Sequence, residues 1–342
     1  MKKYLQSFYI SIIFLLLMTT SLAESTSREE ITSREEITSR EEAIFACMGI
    51  ALKSVSPDKT VGELREICVA EINNSFSERK AFETLASANP FAILPHRPNY
   101  VLPFTYSEAN YGPYSLLPEG NEFENIEAKF QVSIKYIAIE NFFSDNLNLQ
   151  FAFSVTSWWQ TYNSDISSPF RETNYEPELI FSYTEPWSFF GLDVGNSYIS
   201  LNHQSNGKSG TLSRSWNRII GGFTFGSGDL VWALKAWWRV PEPEKESATD
   251  PAGDDNPDID KYLGYGELGM LWQINDDHNL DMILRNNLRR DNKGAITLGW
   301  SFPLTKHLRG YVEYFNGYGE SLIFYDQSTE RFGIGVKLTD WL

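Results

Sequence analysis

The sequence predicts an all-β fold: a twelve-stranded antiparallel transmembrane β-barrel with a small N-terminal periplasmic helical extension. Three observations lead there. The 342 residues include 23 Phe, 17 Tyr and 10 Trp but only 5 Met, an excess that suits pleated surfaces and membrane-interface belts better than a helical bundle. From about Asn89 onward apolar residues recur with period two, as in Phe130-Gln131-Val132-Ser133-Ile134-Lys135-Tyr136 and Leu149-Gln150-Phe151-Ala152-Phe153-Ser154-Val155-Thr156. Each such segment has one apolar face and one small or polar face. The links between segments alternate in length: tight ones such as Phe225-Gly226-Ser227-Gly228 and Ile274-Asn275-Asp276-Asp277 take turns with long ones, Ser205 to Leu212 and the acidic Pro241 to Asp260. Short turns at one end and long loops at the other are how an outer-membrane barrel is connected, whereas a soluble sandwich would gather its apolar residues on a shared interior.

The elements follow in chain order. Lys2 and Lys3, the apolar stretch Phe8 to Met18 and the small-residue site Ser21-Leu22-Ala23 read as a secretory signal peptide over residues 1–23. The apolar run is too short to cross a bilayer as a helix, so export is expected. Residues 24–43 carry a three-fold repeat that begins Thr26-Ser27-Arg28-Glu29-Glu30-Ile31. Its six-residue period matches no coiled-coil repeat, and it reads as a solvated tail. Residues 44–88 read as an accessory helical segment, with Asp58 placed to cap a helix through Val61, Leu64 and Ile67. In an oxidising compartment Cys47 and Cys68 are expected to pair as a disulfide rather than to bind metal. The barrel takes residues 89–342, with strands expected near 99–106, 128–138, 147–160, 175–184, 190–205, 213–225, 229–239, 262–274, 279–288, 294–303, 308–317 and 330–340. An even strand count with a periplasmic N-terminus puts the loops after odd-numbered strands outside.

Composition also excludes classes. The formal charge of −16 argues against binding nucleic-acid phosphates. Of the four histidines, His96, His278 and His307 fall at strand ends or turns without a nearby nucleophile and read as ordinary surface. His203 differs. On its strand Ile199 and Leu201 share the lipid-facing phase while Tyr198, Ser200 and Asn202 face the lumen, so His203 and Ser205 point outward at the loop end. On the next strand Asn217, Ile219, Phe223 and Phe225 share the lipid side, while Arg214, Trp216 and Arg218 turn inward. A hairpin with its tip between Ser205 and Ser213 would set Asn217 beside His203. Imidazole in reach of a serine hydroxyl can take its proton, and an amide oxygen can hold the ring in the required tautomer. The plain alternative is that His203 and Ser205 belong to the headgroup zone, where polar side chains are tolerated.

Longer blocks sharpen the reading. His203-Gln204-Ser205-Asn206-Gly207-Lys208-Ser209 followed by Ser213-Arg214-Ser215-Trp216-Asn217-Arg218 resembles the signature of the outer membrane phospholipase A family. So do Ser157-Trp158-Trp159-Gln160, the run Ser167-Ser168-Pro169-Phe170-Arg171-Glu172-Thr173-Asn174-Tyr175-Glu176-Pro177, Asp254-Asp255-Asn256-Pro257-Asp258-Ile259, and Gly317-Tyr318-Gly319-Glu320-Ser321-Leu322-Ile323. The resemblance runs in order over about residues 89 to 342. It implies a calcium-dependent phospholipase A1/A2 of the bacterial outer membrane, active as a homodimer on phospholipids and lysophospholipids of the outer leaflet. It further implies Ser205 as nucleophile, His203 as base and Asn217 as orienting group. The Gly207 N–H, with a calcium-bound water, would form the oxyanion hole. Calcium would be held by the Ser213 hydroxyl and the Lys208 carbonyl of one subunit and the Ser167 carbonyl of the other. These are the hard oxygens that calcium prefers. Lys208 stands where the family often has Arg, and Val155 where a relative carries Gln at the dimer seam. The N-terminal repeat and the acidic loop 241–260 lie outside the family core.

Two readings from other classes stand beside this one. A passive porin would share the fold without the chemistry, although Arg214, Arg218, Gln204 and Tyr198 pointing inward suit a filled barrel better than an open one. A surface receptor or adhesin built on the acidic loops has only their charge to recommend it.

Overall fold

The structure, a computed structural model, describes residues 91–108, 122–184, 187–189, 192–227, 229–247, 250, 252–275, 277–305 and 308–339, together with residues 44, 47, 48, 60–62, 65, 68 and 89. The expected signal peptide, the repeat, the Asp58 cap and His307 lie outside the described residues. Two compact units are distinguished: residues 1–73 with 77–85, and residues 74–76 with 86–342. In the first, Cys47 and Cys68 form a disulfide, with Cα atoms 5.7 Å apart. No described helix is long and apolar enough to cross a membrane.

The second unit is a closed β-barrel. Its twelve long strands are β1 (Asn99–Ser107), β2 (Ile126–Ile139), β3 (Leu147–Trp159), β4 (Phe170–Tyr183), β5 (Leu192–Ser205), β6 (Ser215–Ser227), β7 (Leu230–Arg239), β8 (Gly266–Gln273), β9 (Asn279–Asn286), β10 (Gly294–Thr305), β11 (Leu308–Tyr318) and β12 (Ser328–Thr339). Each strand pairs antiparallel with its sequence neighbours. The circle closes where β12 joins β1 through Ile334↔Phe104 and Arg331↔Ser107. Closure leaves no edge with unpaired backbone groups, the condition for a sheet to live in hydrocarbon. The connections after odd strands gather at one rim and include the longest, after β1 and β7; those after even strands lie at the other rim and run from two residues, after β6 and β10, to eight, after β4.

Polarity is inside out. Val132, Ile134, Phe151, Phe153, Ile199, Leu201, Phe223, Leu234, Leu284, Leu298, Phe332 and Ile334 are exposed on the outer wall. Glu127, Lys129, Arg171, Glu176, Glu178, Arg218, Asp281, Arg331 and Lys337 are buried in the lumen. Buried charges are tolerated only when paired and hydrogen-bonded, and these are. Glu127 takes Arg171 at 2.7 Å and Arg331 at 3.0 Å, Lys337 meets Asp281 at 2.7 Å, and Glu176 is held by Arg97 at 2.6 Å and Arg218 at 2.9 Å. The long-loop rim is filled as well. Ile259 and Leu263 from the β7–β8 loop and Leu322 and Tyr325 from the β11–β12 loop pack on Trp216, Ile220 and Trp237. Leu322 and Ile323 donate their backbone N–H groups to Asn174 and Glu172.

Three expectations need correction. β4 begins at Phe170 rather than near 175, because its first residues Arg171 and Glu172 are buried polar groups that break the apolar alternation. Residues 262 and 263, read as the start of a strand, instead end a one-turn helix (Asp260–Leu263) that seats Leu263 in the rim cluster, and β8 starts only at Gly266. His96 is not ordinary surface. The segment before β1 pairs with β2 through Leu94↔Lys135, and His96 Nε2 lies 3.7 Å from the buried Glu178 carboxylate.

Candidate active site on the outer wall

The β5–β6 hairpin alternates as expected. Ile199, Leu201 and His203 are exposed on the outer face and Ser200 and Asn202 buried in the lumen; opposite them Ile219 is exposed and Trp216, Arg218 and Ile220 are buried. The ladder pairs Asn202 with Arg218, His203 with Asn217 and Ser205 with Ser215. Residues directly opposite in an antiparallel pair hold their side chains side by side on one face. His203 Nδ1 and Asn217 Oδ1 are accordingly 2.8 Å apart. Ser205 follows His203 on the same face, half-exposed, with Tyr175 of β4 opposite it on the other side.

Asn217 is gripped from a second element. Its Nδ2 donates to Glu242 Oε1 at 3.0 Å, and its backbone carbonyl accepts from Val240 N–H at 2.8 Å. Both come from the start of the β7–β8 loop. A groove of about 370 Å³ is lined by Phe151, Pro177, Leu179 and Leu201 together with His203, Asn217 and Val240.

The tip of the hairpin holds the remaining expected residues. Asn206 is buried and closes the loop on itself: its side chain donates to the Leu212 carbonyl at 2.9 Å and accepts from Arg214 N–H at 3.0 Å. Gly207 has φ +65°, and a Cβ there would stand 3.1 Å from the Tyr175 ring. Glycine is the residue that meets both demands. The Lys208 ammonium reaches back to the Arg171 carbonyl at 2.8 Å and Glu172 at 3.1 Å. The Ser213 and Ser215 hydroxyls donate to one oxygen of Asp255, at 2.8 and 3.0 Å, while Lys245 pairs with the other. Partial burial works against ionisation of Asp255, yet the hydrogen bonds from Lys245, Ser213 and Ser215 prevail and hold its carboxyl below the usual range.

Ser167 sits in the loop between β3 and β4, exposed and with φ +60°. No described contact joins it to Lys208 or Ser213 within one chain. Among the described residues no group of three or more His, Cys, Asp or Glu could hold a metal. The expected calcium set is of another kind. No described hydrogen bond reaches the Lys208 or Ser167 carbonyl, and the Ser213 hydroxyl, spending its proton on Asp255, keeps lone pairs for a cation. Those donors fit calcium. Glu242 and Asp255 were outside the expected set. Glu242 lies in the acidic loop, ahead of the Asp254–Ile259 block that carries the resemblance, and the fold-back of the chain against β6 brings it to Asn217.

The family model described as Phospholipase A1 matches residues 76–338 of this chain. Phospholipase A1 of Escherichia coli strain K12 is 36% identical over 252 residues, 74% of this chain and 83% of the relative. Phospholipase A1 of Klebsiella pneumoniae is likewise 36% identical, over 74% of this chain and 84% of that protein. Among solved structures, outer membrane phospholipase A from Escherichia coli superposes with a TM-score of 0.67 at 34% identity, covering 74% of this chain and all of that one. The Salmonella typhi outer membrane phospholipase dimer with bound calcium gives 0.66 at 34% identity, over 74% of this chain and 94% of the other.

Proposed function

Because this chain belongs to the phospholipase A1 family of acyl ester hydrolases, we propose that Ser205, His203 and Asn217 form its catalytic triad, on the lipid-facing wall at the outer leaflet. The observation that carries this reading is the 2.8 Å contact between His203 Nδ1 and Asn217 Oδ1 on a wall whose neighbouring outward residues include Ile199, Leu201 and Ile219. A polar pair there is costly unless it serves a function. In this reading a phospholipid ester lies against the pair, and the groove lined by Phe151, Leu179 and Leu201 takes the acyl chain.

With Nδ1 bound to the amide oxygen, His203 presents Nε2 as the base. Ser205 Oγ attacks the acyl carbonyl as Nε2 takes its proton. The same proton is returned to the departing glycerol oxygen, so the lysophospholipid leaves neutral at that oxygen. Water then attacks the acyl-Ser205 ester, again giving its proton to His203, and the fatty acid is released. The Gly207 N–H, presented by its left-handed turn, donates to the oxyanion. Calcium, held by the Ser213 hydroxyl and Lys208 carbonyl with the Ser167 carbonyl of a second copy, would add positive charge beside that oxyanion. A ligand set divided between two copies makes activity depend on dimerisation. Esters at sn-1 and sn-2 and lysophospholipids are the proposed substrates.

The test is fatty-acid release from a short-chain phospholipid by the detergent-solubilised protein. Calcium, EDTA and Ser205→Ala are compared side by side. Release that requires calcium and disappears in a folded Ser205→Ala barrel is the expected result. Calcium-independent release, or equal release by the variant, would sink the assignment.

A further inference from the structure

We infer that Glu242, from the acidic loop after β7, is a positioning residue that fixes the orientation of the Asn217 amide and thereby the tautomer of His203. The inference rests on the triad reading above and adds a fourth member to it.

An asparagine side chain presents an oxygen on one side and an NH₂ group on the other, and the two ends have nearly the same shape. Turned one way, Asn217 accepts from His203 Nδ1–H and leaves Nε2 unprotonated for Ser205. Turned the other way, it donates to Nδ1, which places the ring proton on Nε2 and removes the base. The His203 contact alone permits either arrangement, because imidazole can donate or accept at Nδ1. Glu242 does not. An ionised carboxylate is acceptor-only, so Oε1 at 3.0 Å from Asn217 requires the NH₂ end to face it. The oxygen end then faces His203 Nδ1 at 2.8 Å, and the ring must donate. A single acceptor-only group thus selects the catalytically competent state of two neighbours. Its negative charge also polarises the amide, so that Asn217 Oδ1 is a stronger acceptor toward an imidazolium as one forms.

The placement of Glu242 is built in. Val240 N–H bonds the Asn217 carbonyl at 2.8 Å, which carries the β7–β6 ladder one step beyond Arg239 and delivers Glu242, two residues on, beside the Asn217 side chain. The charge on this part of the loop therefore has a specific target, while Glu244, exposed on the same stretch, has no described partner.

The test compares wild type, Ser205→Ala, Glu242→Ala, Glu242→Gln, Asn217→Ala, the double variant Glu242→Ala/Asn217→Ala and Glu244→Ala. Each is checked for a folded barrel by its heat-modifiable migration in SDS gels, and kcat and KM are read on a short-chain phospholipid with saturating calcium. Glu242→Ala is expected to lower kcat roughly tenfold to a hundredfold, the scale of one hydrogen bond to a charged group, with little change in KM. Glu242→Gln, which can accept but is neutral and can itself turn round, should fall between. In the Asn217→Ala background, removing Glu242 should cost almost nothing more, because there is no amide left to orient. Glu244→Ala should match wild type. Wild-type kcat in Glu242→Ala alongside an inactive Ser205→Ala would overturn the inference and leave the triad standing. So would a full additional loss in the double variant, since a merely structural role would persist without Asn217. An active Ser205→Ala would remove the triad itself and this inference with it.

Discussion

Arg218 and Asn202 face each other across the β5–β6 ladder on the lumen side, joined by Arg218 Nη2 to Asn202 Oδ1 at 2.7 Å and Nε to the same oxygen at 3.0 Å. Each is the chain neighbour of a residue in the outer site, Asn202 of His203 and Arg218 of Asn217. The two faces of the wall thus share one register. A slip of one residue would turn His203 inward and Asn202 outward, and the lumen contacts oppose that slip. Arg218 also bonds Glu176 at 2.9 Å, Asn202 donates to the same carboxylate at 2.8 Å, and the Arg218 guanidinium lies 4.1 Å from the Trp216 ring.

Arg218→Lys should therefore be damaging although the charge is kept. An ammonium cannot serve Asn202 and Glu176 together in the forked geometry or stack on Trp216. We expect kcat to fall about tenfold or more and the barrel to unfold at lower urea, since removing part of a buried charged network leaves partners unsatisfied. Unchanged activity and unchanged urea midpoint would show that backbone pairing alone sets the register.

Gly207→Ala tests the oxyanion turn. The backbone there has φ +65°, and the added methyl would meet the Tyr175 ring at 3.1 Å. Left-handed backbone costs an alanine on the order of 1 kcal/mol, so the barrel should still fold while the Gly207 N–H shifts. Loss of one oxyanion donor is worth roughly a hundredfold in kcat. Steady-state kinetics on folded protein decide it, and a variant with wild-type kcat would move the oxyanion hole elsewhere.

Asp255 sets a pH dependence for the β7–β8 loop. Burial alone would raise its carboxyl, but hydrogen bonds from Lys245, Ser213 and Ser215 lower it below the ordinary range. A group depressed on folding stabilises above its unfolded pKa, and that stabilisation is lost as pH falls through the lower, folded value. The loop should thus begin to loosen at a lower pH than it would if Asp255 titrated as a free aspartate. Limited proteolysis with pepsin across descending pH reads this directly. Asp255→Asn, lacking the charge, should be cut equally at every pH in that series. A wild-type loop that opens already where ordinary carboxylates titrate would contradict the expectation.

The filled lumen separates this barrel from a channel. Arg331, Glu127, Arg171 and Glu320 lie across its interior, and Leu322, Ile323 and Phe324 are buried at the long-loop rim. In planar bilayers we expect no large, steady conductance. Stable ion-selective openings would favour the passive-channel reading.

Much of the barrel was legible because its physics is local. Twelve period-two segments, each with an apolar face for lipid, gave the strands, and the outward phase of His203, Ser205 and Asn217 followed from the same alternation. The alternation failed where the inner face carries bulky polar groups in succession, at Arg171 and Glu172, so the first turns of β4 were read as loop. It also could not show that His96 meets Glu178 or that Leu263 belongs to a rim cluster, since those contacts depend on segments that return from elsewhere in the chain.

What the sequence by itself determined is the order of alternating strands and the face each turns outward, because side-chain alternation is set within a few residues. What only the tertiary structure decided is which distant groups meet. Arg331 reaches Thr105 across a separation of 226 residues when β12 closes on β1, and Glu242 reaches Asn217 only because the β7–β8 loop leaves its strand directly beside β6. Such contacts carry no local periodicity; they arise when barrel closure and loop packing fix the relative positions of segments that share no sequence signal.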